Sequence, residues 1–94
     1  AIESYQKAIE INPNKALYWS NLGNVYDELE DYERAIENYQ KAIKIQPDEA
    51  DYWNNLGISY MYFRDYEQAY QAYQRSSKIK PDDDFPIYNL ACLF

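Results

Sequence analysis

The feature that most constrains this chain is its resemblance to itself. Slid by 34 positions, residues 16–49 align with 50–83, and half of the 34 paired positions are identical. Tyr18/Tyr52, Trp19/Trp53, Asn21/Asn55, Leu22/Leu56, Gly23/Gly57 and Tyr26/Tyr60 match in the first half of the unit. Asp31/Asp65, Tyr32/Tyr66, Ala35/Ala69, Tyr39/Tyr73, Ile45/Ile79 and Pro47/Pro81 match in the second. Residues 1–15 repeat 35–49 with ten identities, and 84–94 follow the start of the unit more loosely through Asn89, Leu90 and the aromatic Phe94. A unit this short cannot bury its own hydrophobic face, so successive copies must stack and share one continuous core.

Each unit reads as two helices. In 16–29 the positions Ala16, Trp19, Leu22, Gly23, Tyr26 and Leu29 recur at spacings of three and four, one stripe of a helix. In 32–45, Tyr32, Ala35, Ile36, Tyr39, Ala42 and Ile43 do the same. Asn14, Asp48 and Asp82 are expected as N-caps one position after Pro13, Pro47 and Pro81, and Asp31 and Asp65 as caps of the second helices. The turn left between partner helices is so short that they must pack antiparallel. Gly23, Ala35 and Ala42 let backbones approach, while Trp19, Leu22, Tyr26 and Tyr39 fill the gaps. Two glycines and four prolines are too few for an all-β fold with many tight turns.

The spaced set Trp19-Leu22-Gly23-Tyr26-Ala35-Tyr39-Ala42-Pro47 returns as Trp53-Leu56-Gly57-Tyr60-Ala69-Tyr73-Ser76-Pro81. This pattern resembles the tetratricopeptide repeat along the whole chain. The departures are Glu30 and Arg64, where that family often has glycine, Ser76 in place of alanine, and Ile87 and Ala91 in place of Trp and Gly. The resemblance implies an all-α fold, a right-handed superhelical solenoid of antiparallel helix pairs. Residues 1–94 then form a single domain. Residues 1–15 are the second helix of a partial repeat, 16–49 and 50–83 complete repeats, and 84–94 the first helix of a truncated one. The chain begins at Ala1 without an initiator Met, and the expectation is a segment of something longer.

Composition removes several classes of function. There is no histidine and one cysteine, Cys92, so histidine triads, histidine metal sites, CxxC pairs and an intramolecular disulfide are all excluded. The lone thiol suits a reducing compartment, and a cytoplasmic location is expected. Nine basic residues face sixteen acidic ones, a net charge of −7, which disfavours nucleic acid and anionic membrane surfaces as partners. No apolar run reaches the ~20 residues of a membrane span. No glycine-rich phosphate loop and no catalytic constellation stands out. The carboxylates Asp31, Glu33, Asp65, Glu67, Asp82, Asp83 and Asp84 sit near helix starts, where the helix dipole favours them. A non-enzymatic module without metal or cofactor is expected.

In the family that the repeats resemble, ligands are held by first-helix positions that point away from the partner helix. Carried onto this chain, these are Leu17, Ser20, Asn21, Asn24, Asp27 and Glu28 in the first complete unit. In the second they are Asp51, Asn54, Asn55, Ile58, Met61 and Tyr62, followed by Phe85, Tyr88, Asn89 and Cys92. Packing positions match between units while Asn24/Ile58/Cys92 and Asp27/Met61 differ, as in a specific binder. Asn21, Asn55 and Asn89 recur every 34 residues, and such a ladder of amides can hold the backbone of an extended peptide. Met61 reads as an adaptable contact and Cys92 as a small apolar residue. Nine tyrosines occupy repeated positions, while Tyr62, Tyr70 and Tyr88 do not and are candidate contacts.

The carboxylate clamp of heat-shock cochaperones is a poor match. Asn24 and Asn55 fit its asparagines, but Ser20, Phe85 and Asn89 stand where cations belong. Residues 16–49 carry −5 (eight acids, three bases) and 50–83 carry −1 (five acids, four bases). A basic or mixed basic and apolar peptide is therefore expected, its basic end toward the first complete repeat. The apolar run Leu90-Ala91-Cys92-Leu93-Phe94 raises a second reading, a structural segment that self-associates through uncapped terminal helices into a homo-oligomer. A third reading is the substrate-recruiting arm of a larger enzyme such as a glycosyltransferase.

Overall fold

A computed structural model describes residues 2–80, and within them there are five helices and no strand. They are α1 (Ile2–Ile11), α2 (Ala16–Glu28), α3 (Tyr32–Ile45), α4 (Ala50–Tyr62) and α5 (Tyr66–Ile79). α2 packs on α3 and α4 on α5 as hairpins, α3 joins the first hairpin to the second, and α1 packs on α2. This is an all-α helical repeat solenoid. Phe85, Tyr88, Asn89, Cys92, the cap at Asp82 and the apolar run 90–94 lie outside the described residues.

The two turns inside the hairpins are built alike, and each uses one aspartate twice. Asp31 N–H reaches back to Tyr26 C=O (2.9 Å) and Glu30 N–H to Asp27 C=O (2.9 Å), the paired bonds of a Schellman ending to α2. Asp65 and Arg64 repeat them onto Tyr60 and Met61. That ending needs a left-handed residue, and Glu30 (φ 62°) and Arg64 (φ 68°) supply it at the positions where glycine is the easier choice. The same aspartates then cap the next helix, as their sequence positions predicted. The Asp31 carboxylate accepts from Arg34 N–H and that of Asp65 from Gln68 N–H, each at 3.4 Å.

The turns between hairpins depart from expectation. Asn14 and Asp48 are not N-caps. Pro13-Asn14 and Pro47-Asp48 form the centres of tight turns, a place that proline's fixed φ favours. The extended cap position passes to Lys15 and Glu49, whose side chains make no cap hydrogen bond. The tryptophans secure these turns instead: Trp19 Nε1–H donates to Pro13 C=O (2.9 Å) and Trp53 Nε1–H to Pro47 C=O (2.7 Å).

The core runs along the hairpins through Leu22, Tyr26, Ala35, Ile36, Tyr39, Ala42, Ile43, Tyr52, Leu56 and Ala72, with Trp19, Trp53 and Tyr60 half-buried against it. Tyr39 and Tyr73 are the largest fully buried side chains. Each lies across a glycine of the partner helix, Gly23 and Gly57, where a Cβ would meet the ring at 2.7 Å and 2.5 Å. Ser76, the departure from alanine, is buried and donates to Ala50 C=O (2.9 Å), so its hydroxyl is satisfied inside the hairpin. Leu29 does not join the stripe predicted for it. It caps α2 at its C-terminus and is 61% exposed, because the chain has already left the helix there.

Candidate functional site

The predicted contact positions fall on α2 and α4, the first helices of the two hairpins, and they divide into three groups. Leu17, Asn24, Glu28, Asp51 and Tyr62 are exposed. Asn21, Asn54, Asn55, Ile58 and Met61 are half-buried, with part of each side chain reaching the surface. Ser20 is only 4% exposed and is packed within the fold, so it offers no contact surface. No hydrogen bond among the described residues engages the side chain of Asn21 or Asn55, which leaves these two rungs of the amide ladder open.

Asn24 and Asp27 are committed to the fold. The Tyr39 hydroxyl lies 2.5 Å from the Asn24 side-chain oxygen position and 2.8 Å from Asp27 Oδ2. A phenol has one proton to give. Asn24 Oδ1 and Asp27 Oδ2 therefore share that proton as acceptors. Asp27 Oδ1 also accepts from Ser59 Oγ–H on α4 (2.7 Å), so one carboxylate ties α2 to α3 and to the following repeat. Burial raises its pKa above the usual carboxylate value, more than the Ser59 and Tyr39 hydrogen bonds lower it. Burial and the nearby Asp27 charge push the Tyr39 phenol far up, and it remains a donor throughout the physiological range.

The unlike pairs Asn24/Ile58 and Asp27/Met61 thereby acquire a structural cause. Asn24 and Asp27 face the Tyr39 hydroxyl, and Met61 faces that of Tyr73. Around Tyr39 the partners are polar, whereas the Tyr73 hydroxyl meets Met61 Sδ at 4.0 Å. Sequence reasoning missed Tyr39 and Ser59 as members of this group. The available signal was that a tyrosine buried in every unit must satisfy its hydroxyl. Tyr62 is exposed but not isolated, since its ring stacks on Tyr32 at 5.3 Å between centroids and bridges adjacent hairpins. Among the described residues no cluster of acidic or cysteine side chains could hold a metal ion, and no helix is long and apolar enough to cross a membrane.

The hairpins, their period and their turns make the comparison with known proteins specific. The tetratricopeptide repeat model matches residues 16–49 and 50–83, and a second model described as a TPR repeat matches 1–30. The chain belongs to the tetratricopeptide repeat family. No curated protein matches this tetratricopeptide repeat chain by sequence. Among solved structures, the first TPR of Spaghetti (RPAP3) bound to the HSP90 peptide SRMEEVD is similar at TM-score 0.94 and 17% identity, over 98% of this chain and 73% of that one. The second TPR domain of human RPAP3 in complex with the HSP70 peptide SGPTIEEVD is similar at TM-score 0.93 and 20% identity, over 98% and 77%. MamA is similar at TM-score 0.95 and 25% identity, over 98% of this chain and 54% of its own, so this chain spans about half of it.

Proposed function

We propose that this tetratricopeptide repeat chain is a protein-interaction scaffold that binds a peptide segment of a partner along α2 and α4. The carrying observation is that Asn21 and Asn55, 34 residues apart, keep their amides unengaged among the described residues, on helices that also expose Leu17, Glu28 and Asp51. Amides hold backbone, Leu17 offers an apolar contact, and the two exposed carboxylates select cations. The RPAP3 neighbours hold acidic peptides ending in EEVD. α2 and α4 carry no basic residue that could hold such a peptide, and their exposed charges are Glu28 and Asp51, which supports a basic or mixed basic and apolar ligand instead.

Asp27 contributes little to that selection, because its carboxylate already accepts two hydrogen bonds within the fold. Glu28 and Asp51 therefore carry the electrostatic part. The test is titration of the chain with peptides of Lys/Arg mixed with Leu or Phe, to about 100 µM, equivalent to about −5.5 kcal/mol. Asn21→Ala with Asn55→Ala is expected to abolish binding with the helical content unchanged. Glu28→Gln with Asp51→Asn is expected to weaken it and flatten its salt dependence. Equal binding by the double-alanine variant would overturn this reading.

A further inference from the structure

A second recess opens elsewhere. Between α3 and α5, with α4 as its floor, lies a cleft of about 480 Å³. Its floor holds Leu56 and Trp53 beside Ile43 and Ala72, while the lips carry four glutamines, Gln40, Gln68, Gln71 and Gln74. Among the described residues that line it, the charged ones are Arg75 and Lys78 and none is a carboxylate, in a chain whose net charge is −7. The same two cations line an adjoining recess of about 340 Å³ that runs to the Pro47 turn and contains Asp48.

The charged groups of this cleft are donors only, while its glutamines and the Tyr60 phenol can both donate and accept. Arg75 is held with its guanidinium 5.5 Å from the centre of the Trp53 ring, a cation–π contact that fixes its place over the floor. Gln40 Nε2–H donates to the Tyr60 hydroxyl (2.8 Å), and no described residue accepts the phenolic proton of Tyr60. Glutamine N–H groups, a phenol, a guanidinium and an ammonium thus face one cleft above an apolar floor. The cations recur with the repeat, Lys41 and Lys44 standing 34 residues before Arg75 and Lys78, and so does Gln74 as Gln40; what distinguishes this junction is Gln68 and Gln71. Thirty-four residues earlier, Gln71 is replaced by Glu37, and Gln68 by Arg34, whose guanidinium is paired with Asp31 (3.4 Å).

We infer that the α3–α5 cleft is a second docking site, for an acidic, extended peptide segment with an apolar side chain seated on the Leu56–Trp53 floor. Charge complementarity carries the choice of occupant: carboxylates and peptide carbonyls are the acceptors that these donors lack. The site is independent of the α2–α4 reading, and it selects the opposite charge.

The test uses a fluorescein-labelled peptide of alternating Glu and Leu, with a Lys/Leu counterpart, followed by anisotropy on the 94-residue chain. Arg75→Gln with Lys78→Gln changes two exposed side chains, and circular dichroism checks that the helices persist. Binding of the Glu/Leu peptide, at least about tenfold weaker in that variant and unchanged in Asn21→Ala/Asn55→Ala, is expected. The inference is overturned if the Lys/Leu peptide binds as well, if the Arg75/Lys78 variant binds like the parent, or if Asn21/Asn55 substitution removes binding. It is equally overturned if nothing binds to about 1 mM, or if light scattering shows only association of the chain with itself.

Discussion

At the scale of single residues, the tightest constraint is the face of a tyrosine against a glycine. The Tyr73 ring leaves no room for a Cβ at Gly57, and Tyr39 leaves slightly more at Gly23. Gly57→Ala is expected to destabilise by about 1–3 kcal/mol, with Gly23→Ala costing no more, as read from urea unfolding midpoints. Asp27 yields a prediction in pH. Its folded-state pKa lies above 3.8, so the folded chain holds the proton more tightly than the unfolded chain. Its contribution to stability is therefore fully present below 3.8 and is lost as pH rises through the raised folded value. Asp27→Asn removes that loss, so stability measured relative to the parent should climb across that window and stay level above it. A flat difference would show that burial of the charge carries no cost. The packing residues were legible in the sequence because they recur with the period. The Asp27–Ser59 contact was not, since it joins residues 32 apart in different hairpins and repeats in neither.

At the scale of elements, each helix hairpin turns on one left-handed residue followed by one aspartate with two tasks. Glu30 and Arg64 adopt a conformation that disfavours side chains. Glu30→Gly and Arg64→Gly are each expected to stabilise by about 0.5–1 kcal/mol, the relief of strain exceeding the added freedom of the unfolded chain. Thermal or urea midpoints that fall would contradict this. The extents of α2 and α3 and the caps at Asp31 and Asp65 were readable from spacing and cap chemistry. The N-caps of α2 and α4 were not. A proline-led turn and an N-cap prefer the same residues, and here the turn took Asn14 and Asp48. Leu29 was misassigned for a related reason: periodicity reports which face a residue would occupy but not where the helix stops.

At the scale of the whole molecule, stability in a repeat array is the sum of what each hairpin contributes and what neighbours add. Across this junction run the Asp27–Ser59 bond (2.7 Å), the Gln40–Tyr60 bond (2.8 Å) and the Tyr32–Tyr62 stack. Ser59→Ala with Tyr60→Phe is expected to remove about 1–2 kcal/mol of that coupling. Trp19 and Trp53 report on one hairpin each. With either replaced by Phe, unfolding midpoints should coincide in the parent and separate in the coupling variant; coincident midpoints in both would show that apolar contact alone joins the hairpins.

The double duty of Asp31 and Asp65 also governs how such a chain can change in length. Between the last bond of one helix and the first cap of the next there is no spare residue. One residue inserted into the following helix would rotate everything beyond it by about 100°, carrying the buried tyrosine away from its glycine. Single insertions there are therefore ruinous, whereas a whole 34-residue unit can be added or lost with the turns and the tyrosine–glycine packing renewed. Such a chain counts in units, and its natural step of growth is duplication.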